Sequence, residues 1–182
     1  ISDNERFIDR SREVENLKGL SQLDGLTGLL NRRELDKFLN RVYTRSQMSG
    51  HSFAVIMLDV DHFKKYNDDN GHQGGDQALI ALANVLKETV RPVDIVGRYG
   101  GEEFTVILPD STAMDAIHVA ERLRQAVEKK IILAKDGEPL PSITVSLGIG
   151  ESSVDSTIDK IMELADSNLY KAKNSGRNCY CS

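Results

Sequence analysis

Phe53 to Val60, read as FAVIMLDV, is an unbroken apolar run of strand length that leads into Asp59-Val60-Asp61. A strand that is apolar on both of its alternating faces has to be covered from both sides, so the run predicts a buried central strand with helices packed over it. The acidic residues then stand at the strand's exit. Asp59 and Asp61 each have a structural reading as a strand-end turn residue or as the N-cap of the helix that follows. Because Asp61 directly precedes His62-Phe63-Lys64, Asp61 is read as the cap and Asp59 as the candidate ligand.

The second informative run is Arg98-Tyr99-Gly100-Gly101-Glu102-Glu103-Phe104, two adjacent carboxylates at a glycine turn between apolar stretches. Pro92 to Val96 reads as a short strand and Phe104 to Leu108 as a β-branched one, so Gly100-Gly101 is expected to close a hairpin at positive φ. Taken alone, this is an ordinary hairpin turn. Placed beside the Phe53–Val60 strand, however, the hairpin brings Glu102 to Asp59. Converging carboxylates are costly unless a cation neutralises them, and hard oxygen ligands favour Mg²⁺ or Mn²⁺ over zinc.

Around these runs, Asn31 to Ser46 has helical spacing through Leu35, Phe38, Leu39 and Val42. Gly75 to Val90 and Thr112 to Lys130 are expected as further amphipathic helices, Ile143 to Ile149 as a strand, and Ile158 to Lys173 as a last helix closed by Asn174-Ser175-Gly176. The Gly71 to Gly75 segment reads as a flexible loop. Such an order predicts an α+β fold with an antiparallel-rich sheet covered by helices. The 182 residues, 40% of them hydrophobic, suffice for one buried domain and a short extension. Residues 1–20 carry Phe7, Val14 and Leu17 at coiled-coil-like spacing and are expected to form a linker or signalling helix, with a solvated helix as the alternative.

A formal charge of −5 argues against a nucleic-acid binder. No apolar run approaches the ~18 residues of a membrane span and no signal-peptide pattern is present, so a soluble, cytoplasmic piece is expected. The chain starts at Ile1, consistent with a fragment of a longer protein, whose anchoring to a membrane is left open. Cys179 and Cys181 are expected to be reduced, and His51, His62, His72 and His118 lack metal-ligand spacing.

Several motifs recur in a set order: Asp24-Gly25-Leu26-Thr27-Gly28-Leu29-Leu30-Asn31-Arg32-Arg33, Leu58 to Lys64, Asn67-Asp68, Gly71 to Asp76, the GGEEF turn, and Tyr170 to Asn178. The ordered set resembles the GGDEF-domain diguanylate cyclases over about residues 21 to 180, which makes 21–182 the expected catalytic domain. The resemblance implies a ferredoxin-like core akin to nucleotide-cyclase and polymerase palm domains. It also implies condensation of two GTP molecules into cyclic di-GMP across a homodimer, with an upstream sensor or regulatory domain. By the same resemblance, Asp59, the Val60 carbonyl and Glu102 hold divalent metal, with two Mg²⁺ or Mn²⁺ ions expected per site. Glu103 is either a second ligand or an acid assisting deprotonation of the 3′-hydroxyl. Lys64, Lys173 and Arg177 match phosphate-contacting positions, and Asn67 and Asp76 match guanine-contacting ones.

A carboxylate that accepts from guanine N1 and its 2-amino group would reject adenine, so Asp76 favours GTP alone over a mixed dinucleotide product. Arg91-Pro92-Val93-Asp94 resembles the family's RxxD inhibitory site for its own product, with Arg122 as a secondary contact. The alternative for Arg91 and Asp94 is a local surface contact worth under ~1 kcal/mol. For the whole chain, the alternative is a non-catalytic module that binds GTP or cyclic di-GMP. The Thr27 to Arg33 segment is expected to pack at the start of the domain, with Asp24 and Arg32 as linker contacts.

Overall fold

The computed structural model describes residues 21–182, so the heptad-like positions Phe7, Val14 and Leu17 lie outside the described residues. In chain order the elements are α1 (Arg32–Ser49), β1 (Ala54–Val60), α2 (Phe63–Thr89), β2 (Ile95–Arg98), β3 (Glu103–Leu108), α3 (Ala113–Glu128), β4 (Ile132–Leu133), β5 (Pro139–Leu140), β6 (Val145–Glu151), α4 (Ile158–Asn174) and β7 (Tyr180–Cys181). The main sheet has the order β2-β3-β1-β6-β7; β1 pairs antiparallel with both β3 and β6, and β7 joins β6 in parallel. The first four strands in this order, with α2 and α3 as connections, make the βαββαβ ferredoxin-like core. A separate β4–β5 hairpin precedes β6.

Every residue of β1 is buried. Its alternation sends Ala54, Ile56, Leu58 and Val60 into one core with Ala78, Leu82 and Leu86 of α2 and Ala120 and Leu123 of α3. Val55 and Met57 go to the opposite core, formed with Leu35 and Leu39 of α1 and Ile161, Ala165 and Leu169 of α4. A two-period strand side by side with 3.6-period helices explains why the run had to be apolar throughout. Local chemistry sets the helix ends: the Asn31 side chain accepts from the Glu34 amide at 3.0 Å to start α1, and Thr112 and Asp115 form a capping box at α3.

One packing contact is unusually close. A Cβ on Gly148 would lie 2.1 Å from the Ala165 carbonyl oxygen and the Leu169 nitrogen, and one on Gly150 would lie 2.3 Å from the Ile161 oxygen. The backbone of α4 therefore rests directly on β6, which only glycine permits.

Several expectations are corrected. β2 starts at Ile95, because Pro92 to Asp94 is taken up by a turn in which the Asp94 amide donates to the Arg91 carbonyl at 3.0 Å. His72 to Gly75 is helical; α2 breaks only at Gly71, whose φ of 73° and ψ of 165° kink it, and it then continues to Thr89. Asp61 is not the cap of α2. His62 occupies that position without a side-chain cap bond. Gly100 and Gly101 are not at positive φ. The last paired residues of the hairpin are Arg98 and Phe104, and the longer loop between them does not need the left-handed geometry of a two-residue turn.

Gly148→Ala is expected to destabilise the fold by about 3 kcal/mol or more, which is ~6–12 °C in thermal midpoint for a chain of this size. Gly101→Ala, where an added Cβ meets nothing within 4 Å, should leave the midpoint within about 1 °C of the parent. Calorimetry of the two variants side by side checks the argument, and equal midpoints would refute it.

Candidate active site

Antiparallel pairing places Asp59 of β1 opposite Glu103 of β3 and Ser146 of β6. The Val60 amide donates to the Glu102 carbonyl at 3.3 Å, which seats the hairpin loop against the strand's exit. Asp59 shares its face with Val55 and Met57, the face covered by α4. There Lys173 Nζ donates to Asp59 Oδ2 at 2.6 Å, so the seat of α4 on β6 delivers an ammonium to a carboxylate more than 110 residues away in sequence.

Asp59 is only 6% exposed. Burial pushes its carboxyl above the ordinary value and the Asp61 charge adds to this, while the bond to Lys173 works in the opposite direction without cancelling it. Glu102 is raised as well, first by burial and then by the charge on Asp59, with a smaller contribution from Glu103 and partial relief from Lys173. Both shifts report the same fact. Two poorly solvated carboxylates, Asp59 and Glu102, lie near one ammonium that only partly offsets the cost of their ionisation. The chemistry of such a donor set suits a divalent cation. Among the described residues no three His, Cys, Asp or Glu side chains converge closely enough to hold an ion by themselves. Asp59 and Glu102 therefore need additional oxygens, and the Val60 carbonyl and a phosphate are of the right chemistry.

The hairpin is braced from outside the sheet. Arg98 donates to the Gly100 and Gly101 carbonyls at 3.2 and 2.6 Å and pairs with Asp24 at 3.1 Å. Asp24 also accepts from the Thr27 amide and hydroxyl at 2.9 and 2.7 Å. Burial alone would raise the Asp24 carboxyl, but the Thr27 bonds and the Arg98 guanidinium outweigh it and hold it below the usual carboxylate value. Arg32 stacks 4.4 Å over the Tyr99 ring. Asp24 and Arg32, expected as linker contacts, both turn to the hairpin instead, Asp24 through Arg98 and Arg32 through Tyr99.

Lys64, Asn67 and Asp76 all lie on α2, on either side of the Gly71 kink. The kink folds the helix so that Gly75 comes under Asn67: a Cβ on Gly75 would sit 1.8 Å from Asn67 Oδ1. That oxygen is buried and makes no hydrogen bond. An orphaned buried acceptor is costly and marks a place where a donor belongs. Lys64 and Asp76 are exposed and have no hydrogen bond or ion pair among the described residues. At the other end of the site, Lys173 lies in the last turn of α4, and Arg177 lies in the turn beyond it, exposed and with its guanidinium unpaired among the described residues.

Arg91 and Asp94 lie apart from this cluster, ahead of β2. Arg91 donates to Asp94 through Nε at 3.1 Å and through its terminal nitrogen at 2.7 Å. The Asp94 side chain is 0% exposed, so the contact is not the weak surface pair considered from sequence. Arg91 also donates to Ser111 Oγ at 3.0 Å, and Arg122 of α3 donates to the Thr89 carbonyl at 3.0 Å. The Arg91–Asp94 turn borders a cleft of about 550 Å³ lined further by Leu29, Leu30, Lys87 and Val93. Both cysteines are free, and no described helix is long and apolar enough to cross a membrane.

Comparisons with known proteins agree with this geometry. The family model described as "Diguanylate cyclase, GGDEF domain" matches residues 21–179. The chain is 37% identical over 175 residues to "Response regulator PleD" of Caulobacter vibrioides, covering 95% of this chain and 38% of PleD. It is 36% identical over 172 residues to "Diguanylate cyclase DgcM" of Escherichia coli, covering 94% of this chain and 41% of DgcM. The chain thus spans about two fifths of the length of these curated relatives. Among solved structures, the GGDEF domain of DgcB from Caulobacter crescentus in complex with c-di-GMP aligns with a TM-score of 0.83 at 36% identity, over 88% of this chain and 95% of that one. The α+β core with its mixed sheet, the carboxylates gathered at the end of β1 and the match over residues 21–179 place this chain in the GGDEF-domain family of diguanylate cyclases.

Proposed function

We propose that residues 21–182 form a catalytic domain that condenses two GTP molecules into cyclic di-GMP and releases two pyrophosphates. The observation that carries this reading is the placing of the buried Asp59 and the half-buried Glu102, both with carboxyls raised first by burial, beside an ammonium. The family's description and relatives named as diguanylate cyclases support it.

Guanine enters against α2, where its N–H groups satisfy the orphaned Asn67 oxygen and the free Asp76 carboxylate. A site built to receive those donors rejects adenine, which leaves the carboxylate unpaired, and this favours a single-nucleotide product over a mixed one. Lys64, Lys173 and Arg177 bind the phosphates. Asp59, the Val60 carbonyl and Glu102 would hold Mg²⁺ or Mn²⁺, two ions per site, and the bound metal would supply positive charge to the phosphates and to the attacking oxygen. Glu103 either completes the ligand set or accepts the 3′-hydroxyl proton. Its side chain folds back over the loop, where a Cβ on Gly100 would approach Glu103 Oε2 to 3.1 Å.

One domain offers one base pocket and one carboxylate cluster, while the product contains two equivalent linkages. Two domains must therefore face each other, each 3′-hydroxyl attacking the other nucleotide's α-phosphorus, which makes a symmetric homodimer part of the mechanism. Residues 1–20 serve as the link to an upstream sensor or regulatory domain. Arg91 and Asp94, with Arg122, bind the product: a guanidinium fork suits a phosphate or a guanine edge, and DgcB was solved in complex with c-di-GMP.

Glu102→Gln should lower the initial rate of cyclic di-GMP formation by at least about 100-fold while raising the thermal midpoint of the nucleotide-free protein by ~2–4 °C. The sign follows from linkage. Glu102 is raised in the fold, so its ionisation costs stability; the penalty is absent below the unfolded pKa and complete above the folded one. Glu102→Gln should lack that fall in stability with rising pH. Wild-type rates in the variant, measured by chromatography of the nucleotides after incubation with GTP and Mg²⁺, would sink the assignment. No product from wild type fused to a dimerising partner would sink the enzymatic reading itself.

Arg91→Ala should retain the initial rate and accumulate several-fold more product before turnover stops. Because the buried Asp94 loses its side-chain partner, a stability loss of about 1–3 kcal/mol should accompany this change. A product plateau identical to wild type would remove Arg91 from the inhibitory site.

A further inference from the structure

The turn that follows α4 is held in a conformation that its sequence does not favour. Arg177 and Asn178 are consecutive non-glycine residues at φ 62° and 47°, a region that bulky side chains rarely enter. Gly176 ahead of them, at φ 106°, lets the chain reverse. The Arg177 amide then donates back to the Ala172 carbonyl at 3.2 Å, so Arg177 is folded onto the last turn of α4 close to Lys173.

What holds the turn is a set of bonds to Asn178. Its amide donates to Asp61 Oδ2 at 3.0 Å. Its side chain donates to Glu128 Oε1 at 2.8 Å and accepts from Arg124 at 3.0 Å, both on α3. Asp61 is itself fixed: it is 8% exposed and accepts from Thr144 Oγ1 at 2.7 Å and Ser146 Oγ at 2.6 Å. With these bonds its carboxylate is satisfied by neutral donors and has no ion-pair partner among the described residues. The exit of β1 thus carries two carboxylates with different duties. Asp59 faces the ammonium of Lys173, whereas Asp61 grips the backbone of the turn.

We infer that Asp61 and Asn178 are positioning residues that clamp the left-handed Arg177-Asn178 turn, so that the Arg177 guanidinium is presented to the nucleotide's triphosphate. This rests on the reading of Arg177 as a phosphate contact. The clamp acts on the phosphate end alone, since Asn67 and Asp76 on α2 receive the base. Arg177 emerges from a backbone already committed to one conformation, and less freedom is lost when it binds. Neither Asp61 nor Asn178 touches the reacting atoms.

A binding cycle tests the clamp without reference to turnover. The probes are guanosine 5′-[α,β-methylene]triphosphate and guanosine, titrated calorimetrically in Mg²⁺ against the whole chain. Arg177→Ala should weaken the triphosphate about tenfold and leave guanosine unchanged. Asn178→Ala keeps the amide bond to Asp61 but removes the side-chain anchors and strains the left-handed backbone. It should weaken the triphosphate several-fold, and Asn178→Gly, which tolerates positive φ, should recover most of the loss. Asp61→Asn should weaken the triphosphate several-fold with guanosine unaffected. In the Arg177→Ala background, neither Asp61→Asn nor Asn178→Ala should weaken it further.

Additive losses in that background would overturn the inference, and would be the expected result if Asp61 acted only through charge at the neighbouring metal ligands. Equal losses for guanosine and triphosphate would also overturn it, as would unchanged binding in both single variants. A wild-type chain that binds guanosine but shows no preference for the triphosphate would remove the phosphate reading on which the clamp depends. Binding that behaves as expected in a chain that makes no cyclic di-GMP would sustain the clamp while refuting the catalytic proposal.

Discussion

The seat of α4 on β6 is the contact on which the rest of the site depends. Gly148 and Gly150 remove the side chains that would hold a helix at the usual distance from a sheet, and the Ala165 and Ile161 carbonyls fill the space. A helix set that low carries its C-terminal residues to the level of the β1 exit. Lys173 can then reach Asp59, and the turn beyond it can reach Asp61. Added bulk at either glycine would raise the whole helix. Because a side chain several ångströms long amplifies any tilt at its base, the ammonium and the turn would be misplaced even where the core could adapt.

The same architecture explains how so many carboxylates are tolerated. A strand buried on both faces places Asp59 in a poorly solvated environment, and the hairpin adds Glu102 beside it. Raised carboxyls here are an energetic cost carried by the apolar cores above and below β1. The hairpin cannot relieve the strain by moving away. Its carbonyls are gripped by Arg98, which is tied in turn to Asp24 and the Thr27 turn, and its Tyr99 ring lies under Arg32. Low solvation and mechanical bracing together hold these carboxylates in a fixed place.

Much of this was legible from residue order. The β1 run, the hairpin beside it, four helices and the approach of Glu102 to Asp59 all follow from hydrophobic period and turn chemistry, which act over short distances. What stayed hidden depends on partners far away in the chain. Asp61 looks like a helix cap because capping is a local rule, yet its acceptors are engaged by Thr144 and Ser146, 83 and 85 residues on. His72 to Gly75 looks like a loop because glycine clusters break helices. Here only Gly71 does so, and Gly75 is needed because Asn67 lies over it. Gly100 and Gly101 suggested a two-residue turn, but loop length and not composition decides whether positive φ is required. β7 and the β4–β5 hairpin are two-residue strands, too short for any periodicity to register.

The structural duty of Arg91 and Asp94 leaves room for the proposed binding of product. The buried Asp94 carboxylate accepts from the Arg91 amide at 2.8 Å and from its guanidinium, and so closes the turn that launches β2. Arg91 is nonetheless half exposed. A guanidinium has more donors than one carboxylate can use, so the bond to Asp94 orients the remaining N–H groups without consuming them. A ligand arriving at this face finds an arginine already ordered by its neighbour, which reduces the entropy lost on binding. Since β2 pairs with β3, and β3 carries Glu103, the same turn that would receive product is joined through one hairpin to the carboxylate cluster.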